Sequence, residues 1–171
     1  APQVLPPLDA EMTRPLEKVL GEHEVELQLG DSLTAIEPGL KVRLQSGAEW
    51  STDLVLLGVG VRPAITLAVQ AGLQVGPRGG VQVDSSMRTS DPHIYAVGDM
   101  VEVRDFVTGQ ATQVPLAGPA NRQGRIAADA ISGQKVAYRG TQGTSVVAVF
   151  ERTAACTGAS EKWLKARGLD Y

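Results

Sequence analysis

The most informative part of this sequence is the stretch Thr89-Ser90-Asp91-Pro92-His93-Ile94-Tyr95-Ala96-Val97-Gly98-Asp99. Its first half is rich in turn formers, and its apolar second half predicts a short strand, Ile94–Val97, that ends at Gly98. In an open α/β sheet, ligands bind beyond the carboxyl ends of the strands. Gly98 has no Cβ and allows close approach, while Asp99 offers two acceptor oxygens to ligand hydroxyls. An ordinary strand that ends in a Gly-Asp turn is the second interpretation of these residues.

Composition excludes several classes of protein. The 171 residues suggest one domain or two, and 43% apolar and 20% charged residues are ordinary for a globular protein. The net charge of −3 and the 4% of aromatic residues give no case for nucleic acid or an anionic membrane as a partner. No apolar run reaches the ~18 residues of a membrane helix. The single cysteine, Cys156, excludes an intramolecular disulfide and is typical of a reducing compartment, so we expect a cytoplasmic protein.

The first third of the chain predicts a helix followed by short strands. Asp9 is a candidate N-cap, and apolar spacing predicts a helix that ends near Gly21. Alternating residues predict a half-exposed strand over Val25–Leu29. Three further short strands predict a small antiparallel meander: Leu33–Ile36, Lys41–Leu44 and a segment around Trp50.

The continuous apolar run Asp53–Gly60 predicts a different kind of strand, buried on both faces as in a parallel sheet. Gly58 and Gly60 resemble part of a dinucleotide fingerprint, but Pro63 stands where the third glycine belongs. From the spacing alone, a tight turn is the preferred interpretation.

The rest of the chain alternates helices and strands. The polar segment Glu102–Gln113 is predicted to be a loop. A helix is predicted from Pro115 to Ile131, and its small residues would let it lie close to a sheet or to a planar ligand. Four other elements are predicted: a helix over Ile65–Ala71, a strand over Val81–Val83, a strand over Thr144–Phe150 and a helix over Ser160–Arg167.

Four segments, in their order along the chain, resemble the flavoprotein disulfide reductases, the pyridine nucleotide-disulfide oxidoreductase family. Thr89–Asp99 resembles that family's second FAD-binding motif, and Asp53–Pro63 resembles the strand that closes its NAD(P)H domain. Pro115–Gly124 resembles the helix whose N-terminus faces the flavin pyrimidine ring, and Gly143–Lys162 resembles the start of the interface domain. The Asn-Arg-Gln-Gly run is most similar to the branch of coenzyme A disulfide reductases, NADH oxidases and persulfide reductases.

The resemblance implies an α/β fold: parts of two doubly wound, Rossmann-like nucleotide-binding domains with a small antiparallel meander, plus the start of an α+β interface domain. The implied divisions are 1–62 for the distal half of the NAD(P)H domain, 63–136 for the distal part of the FAD domain and 137–171 for the interface domain. Both Gly-rich fingerprints and the redox cysteine of the family are missing. We therefore expect an internal fragment of such an enzyme.

The resemblance also implies roles for residues. Asp99 would bond a ribityl hydroxyl of FAD, and Asn121 would lie toward the substrate. The full set of implied cofactor contacts is Gly60, Ile94, Tyr95, Ala96, Gly98, Asp99, Met100, Leu116 and Ala117. No catalytic residue is assigned, and Cys156 is predicted to be a small buried thiol. No metal is assigned, because His23 and His93 have no second ligand type at useful spacing.

The implied activity is hydride transfer from NADH or NADPH to FAD, with electrons passed on to a disulfide, a persulfide or oxygen. The implied substrate is a small-molecule disulfide or persulfide such as coenzyme A disulfide. The full-length enzyme would be a homodimer, and the isolated fragment would be inactive. The alternative is a noncatalytic α/β module that serves folding or subunit contact. A yellow, flavin-containing protein would favour the first hypothesis, and a colourless one the second. The sequence leaves the choice of nucleotide and of final acceptor open.

Overall fold

The computed structural model of the chain describes residues 1–171. The helices are α1 (Ala10–Glu22), α2 (Thr66–Gln70), α3 (Ala117–Ile131) and α4 (Glu161–Lys165). The strands are β1 (Leu33–Glu37), β2 (Lys41–Leu44), β3 (Glu49–Ser51), β4 (Val81–Gln82), β5 (Val101–Arg104), β6 (Ala111–Thr112), β7 (Ser145–Val149) and β8 (Arg152–Cys156). None of the helices has the length and the apolar composition that a membrane span requires.

The chain forms two compact units. Unit 1 consists of Ala1–Val59, Val146–Cys156 and Ser160–Tyr171, and unit 2 of Gly60–Ser145 with Thr157–Ala159. Unit 1 is therefore assembled from segments that are far apart in sequence.

Asp9 shows how the distant segments of unit 1 are joined. It stands at the N-cap position of α1, as predicted, but its side chain makes no capping bond to that helix. Its two carboxylate oxygens instead accept hydrogen bonds from the backbone N–H groups of Glu161 (3.0 Å) and Lys162 (2.9 Å). These amides belong to the first turn of α4, where N–H groups lack partners inside the helix. One aspartate thus begins one helix and caps another.

The predicted antiparallel meander of unit 1 is confirmed. Strands β1, β2 and β3 pair in sequence order, with Val42 opposite Trp50. Its exposed face carries an ion-pair network: Glu49 pairs with Lys41 and with Arg43 (3.0 Å). The hydrogen bond from Lys41, followed by that from Arg43, holds the pKa of Glu49 below its ordinary value.

Helix α1 buries Thr13, Leu16 and Val19 inside unit 1. Of the apolar positions at helical spacing, Leu16 and Val19 are confirmed as buried, whereas Met12 is exposed. The predicted strand over Val25–Leu29 is wrong, because this segment is irregular. The Val25 N–H donates to the carbonyl of Leu20 (2.9 Å) and thus closes the end of the helix instead of entering a ladder. The alternation of apolar and polar residues predicts a strand, but a strand also needs a neighbour to pair with, and this segment has none.

Unit 2 is built around a mixed sheet of order β4-β5-β6. Strand β4 runs parallel to β5, with Val81 opposite Val101, and β5 runs antiparallel to β6. The buried residues that form its core are Ala68, Val81, Met87, Ala96, Val101, Val103, Ala127 and Tyr138.

The predicted loop Glu102–Gln113 is wrong, because it contains most of β5 and all of β6. Valines alternate with charged residues here, which is a strand pattern that the polar composition obscured. Glu102 is buried although its side chain is polar, and its Oε2 accepts the backbone N–H of Arg78 at 2.7 Å.

The apolar run Asp53–Gly60 forms no strand, so that prediction is also wrong. A strand exists only when a neighbour takes up its backbone hydrogen bonds, and no segment of this chain pairs with the run. Leu56 and Val59 are consequently 84% and 87% exposed.

The other predicted elements are confirmed within a few residues, namely α2, β4, α3, β7 and α4. Strand β8 was not predicted. It ends at Cys156, which was predicted to be a small buried thiol and is half-buried.

Candidate functional site

The segment Ile94–Val97 leads to the candidate site. It is extended, but a single antiparallel bridge between Arg88 and Tyr95 replaces the predicted strand. The N–H of Ala96 donates to the carbonyl of Met87 (3.1 Å), and both residues are buried in the core of unit 2. The segment therefore reaches Gly98 from a fixed position in the core.

Gly98 opens a 3-10 turn, Gly98–Met100, at the end of this segment. Its φ of +82° lies in the region that favours glycine. A Cβ built on Gly98 would meet no atom within 4 Å, so the space in front of this residue is open. The backbone here has the form and the clearance that close approach of a ligand requires.

Asp99 follows in an exposed position, and its carboxylate makes no hydrogen bond or ion pair with the protein. The aspartates of nearby turns behave differently. One oxygen of Asp105, for example, accepts the N–H groups of Val107 (3.0 Å) and Thr108 (2.7 Å). Asp99 is thus free to accept hydrogen bonds from a bound molecule.

Asp84 is a second turn aspartate whose carboxylate is occupied. Its Oδ1 accepts the N–H groups of Ser86 (2.8 Å) and Arg88 (3.0 Å). Burial alone would raise the pKa of Asp84, but these bonds and that from the Ser86 hydroxyl bring it below the ordinary value.

Helix α3 contacts the Gly98 turn through one buried side chain. Gln123 is only 2% exposed, and its Oε1 accepts the Gly98 N–H at 2.7 Å. Sequence reasoning did not single out Gln123. The available signal was its spacing, since it lies four residues before the buried Ala127 on the core-facing side of α3.

The N-terminus of α3 is the second part of the site. Leu116 is an extended N-cap without a side-chain capping bond. The N–H groups of Ala117 and Gly118 therefore have no partner within the helix, and Pro119 has no N–H to offer. The Leu116 N–H donates to the carbonyl of Val114 at 2.8 Å. Leu116 and Ala117 are both implied cofactor contacts, but of their two N–H groups only that of Ala117 remains available, and it lies at the positive end of the helix dipole.

A strip of small residues runs along α3 from this end. It forms a shallow, open depression, lined by Ala117, Ala120, Asn121, Gly124, Arg125 and Ala128. The Asn121 Nδ2 donates to the Ala117 carbonyl at 3.0 Å, so this side chain folds back along the helix. The strip offers a flat surface with few side chains in the way.

The remaining predicted contacts differ in how deeply they are buried. Tyr95 lies under the Arg88 guanidinium, 5.6 Å from the ring centroid, and Met100 packs against the core. Ile94 is partly exposed at the start of the segment. Gly60 lies in the exposed segment before α2, has a φ of +96°, and makes no hydrogen bond to the Gly98 turn.

Comparison with known proteins gives consistent matches along the chain. The family profile described as pyridine nucleotide-disulphide oxidoreductase matches residues 1–159. A Pyrococcus furiosus protein named NAD(P)H sulfur oxidoreductase (CoA-dependent) is 31% identical over 164 residues, which are 95% of this chain and 37% of that protein. A Methanocaldococcus jannaschii NADH oxidase is 40% identical over 141 residues, 81% of this chain and 31% of the relative.

A solved structure gives the same result. The crystal structure of reduced Bacillus anthracis CoADR-RHD superposes with a TM-score of 0.95 at 49% identity, covering 99% of this chain and 31% of that one. The predicted α/β fold class is confirmed. The chain spans about a third of the length of the curated relatives that it matches.

Proposed function

Because this chain belongs to the pyridine nucleotide-disulphide oxidoreductase family, we propose that it works as part of an FAD-dependent NAD(P)H oxidoreductase that acts on a disulfide, a persulfide or oxygen. The observation that carries the proposal is the carboxylate of Asp99. It has no partner in the protein, it follows an open glycine, and its turn is bonded through the Gly98 N–H to Gln123 of α3.

The residues present fit FAD in chemistry and in clearance. Asp99 supplies acceptors for the ribityl hydroxyls, and the open space at Gly98 lets the cofactor approach the backbone. The turn is held on the core of unit 2 by Tyr95, Ala96, Val97 and Met100. When bound, FAD supplies the chemistry, since it accepts hydride and passes electrons onward.

The start of α3 is proposed to stabilise the electron-rich edge of the flavin ring. The unpaired N–H of Ala117 would donate to bound flavin there, and the positive end of the helix dipole would favour negative charge at the same place. The Leu116 N–H is bonded to the Val114 carbonyl and would have to leave it before it could donate to flavin. A flavin-bound structure tests this placement: either amide within hydrogen-bond distance of the ring supports it, and a gap too wide for such a bond contradicts it.

Asn121 is proposed to serve the substrate side of the site, one turn along α3. Its present bond to the Ala117 carbonyl holds the amide near the helix start. Gly60 is proposed to lie near the nucleotide, in the segment that leads from residues 1–62 of the NAD(P)H domain to residues 63–136 of the FAD domain. Residues 137–171 would then begin the interface domain.

The relatives' names indicate the range of acceptors. We propose a small-molecule disulfide or persulfide such as coenzyme A disulfide as the substrate. Support comes from a Staphylococcus aureus relative named coenzyme A disulfide reductase. Oxygen is proposed as an alternative acceptor because the Methanocaldococcus jannaschii relative is named an NADH oxidase. The full-length enzyme is proposed to be a cytoplasmic homodimer.

The test is direct. The full-length enzyme that carries this chain should be yellow, with the absorbance of bound flavin, and should oxidise NADH or NADPH when given coenzyme A disulfide. The isolated 171 residues should neither retain FAD strongly nor oxidise the nucleotide faster than free flavin does, because the chain spans only a third of its relatives. A colourless full-length protein would overturn the proposal.

A further inference from the structure

Gln123 is the most deeply buried polar side chain of unit 2, at 2% exposure. Its only hydrogen bond to the protein runs from the Gly98 N–H to its Oε1, over 2.7 Å. Buried polar groups are kept where they satisfy a partner, since an unpaired one is costly. The partner here is the backbone of the turn that presents Asp99.

The hydrogen bond between Gly98 and Gln123 restrains the backbone that carries Asp99. Because the carboxylate of Asp99 has no protein partner, its position depends on its backbone. Gly98 could adopt many conformations, and it is held at a φ of +82° with open space around it. The bond to Gln123 anchors the peptide unit between Val97 and Gly98, which leads through Gly98 to Asp99.

A neutral amide is well suited to accept the Gly98 N–H at this buried position. A neutral carbonyl oxygen accepts the N–H without placing a charge in the interior, whereas an ionised carboxylate would lose its hydration. The side chain of Gln123 is rigidly mounted, since it projects from α3 one turn before the buried Ala127. Helix and turn are thereby tied together across 25 positions of sequence.

We infer that Gln123 is a positioning residue for the cofactor: through Gly98 it holds Asp99 in the orientation that binds FAD. The inference rests on the proposed function, because it assigns to Gln123 the geometry of the proposed flavin contact. Gln123 itself is not proposed to touch the flavin.

The experiment compares three variants of the full-length enzyme. Gln123→Met removes the acceptor at similar length, and Gln123→Glu keeps an acceptor. Ala127→Gly loosens the same face of α3 without touching Gly98. Two quantities are measured: hydrogen exchange of the peptide that contains Gly98 in the FAD-free protein, and the dissociation constant of FAD from flavin fluorescence.

Gln123→Met should speed exchange at Gly98 and raise the FAD dissociation constant, each at least tenfold. Gln123→Glu should recover most of both, measured at mildly acidic pH where the buried carboxyl is protonated. Ala127→Gly should lower the melting temperature but change neither quantity.

Unchanged exchange at Gly98 in Gln123→Met would show that the bond does not hold the turn and would overturn the inference. Faster exchange with unchanged FAD affinity would overturn it as well, provided that Asp99→Ala weakens FAD binding. Unchanged FAD affinity in Asp99→Ala would overturn the proposed flavin contact instead, and with it the role of Gln123 toward FAD. The two failures are therefore distinguishable.

Discussion

Replacing Asp99 with alanine should separate cofactor binding from folding in the full-length enzyme. The side chain is exposed and has no partner in the protein, so its loss removes no contact from the folded state. Surface substitutions of this kind change the free energy of unfolding by about 0.5 kcal/mol or less. FAD binding should respond much more strongly.

The size of that response follows from the bonds that the carboxylate would lose. Hydrogen bonds to a charged group contribute about 1.5–3 kcal/mol. At about 1.4 kcal/mol for each factor of ten, the FAD dissociation constant should rise roughly 10- to 150-fold.

The assay is titration of the FAD-free enzyme, with flavin fluorescence for affinity and chemical denaturation for stability. Asp105→Ala is the matched control, because its carboxylate accepts the N–H groups of Val107 and Thr108 and so holds its own turn. The control should lower the free energy of unfolding by ~1 kcal/mol or more and leave FAD affinity nearly unchanged. If Asp99→Ala retains FAD on dialysis as well as the parent does, the assignment of this carboxylate is refuted.

Three other perturbations test the structure itself. Leu56, 84% exposed, should drive self-association of the isolated chain, and Leu56→Asp should reduce the oligomers seen by light scattering; a monomeric parent chain would contradict this. A Cβ at Gly140 would lie 2.4 Å from the Arg104 carbonyl oxygen, so Gly140→Ala should lower the free energy of unfolding by about 2–5 kcal/mol. Gly133→Ala, with a similar φ and open space, should lower it by only about 1–2 kcal/mol, and equal losses would refute the clash. The folded-state pKa of Glu49 lies below its ordinary value of 4.5, so its ion pairs should stabilise the meander fully above pH 4.5. This stabilisation should be lost as the pH falls through the folded-state pKa. Glu49→Gln should flatten this decrease in thermal melts between about pH 6 and about pH 3, and an unaltered pH profile would contradict the assignment.

Local signals in the sequence predicted all four α-helices and the meander. The prolines at the start of α3 and the spacing of its small residues define that helix without any distant partner. Alternation and tight turns likewise define β1 to β3, whose neighbours follow one another in sequence. The Gly98–Asp99 turn was found in the same way, from a short contiguous motif.

Features that depend on distant partners could not be predicted. The run Asp53–Gly60 has the composition of a buried strand, yet strand formation requires a neighbour that this chain does not supply. The bond from Gly98 to Gln123 joins positions 25 apart, and the sequence shows only a glutamine on a helix. The Leu116 N–H was expected to be available, and its bond to the Val114 carbonyl depends on local backbone angles that composition does not determine.

The cap that Asp9 places on α4 has a consequence for the order of folding. The two partners are 152 positions apart, and unit 2 occupies most of the interval as one nearly continuous segment. Closing a loop costs about 0.6 kcal/mol more in entropy for each doubling of its flexible length. Once unit 2 has folded, roughly half of the intervening chain is no longer flexible, and the closure becomes easier by about that amount. Unit 2 should therefore fold first and unit 1 should close last, so a pulse of hydrogen exchange early in refolding should find α3 protected before α4.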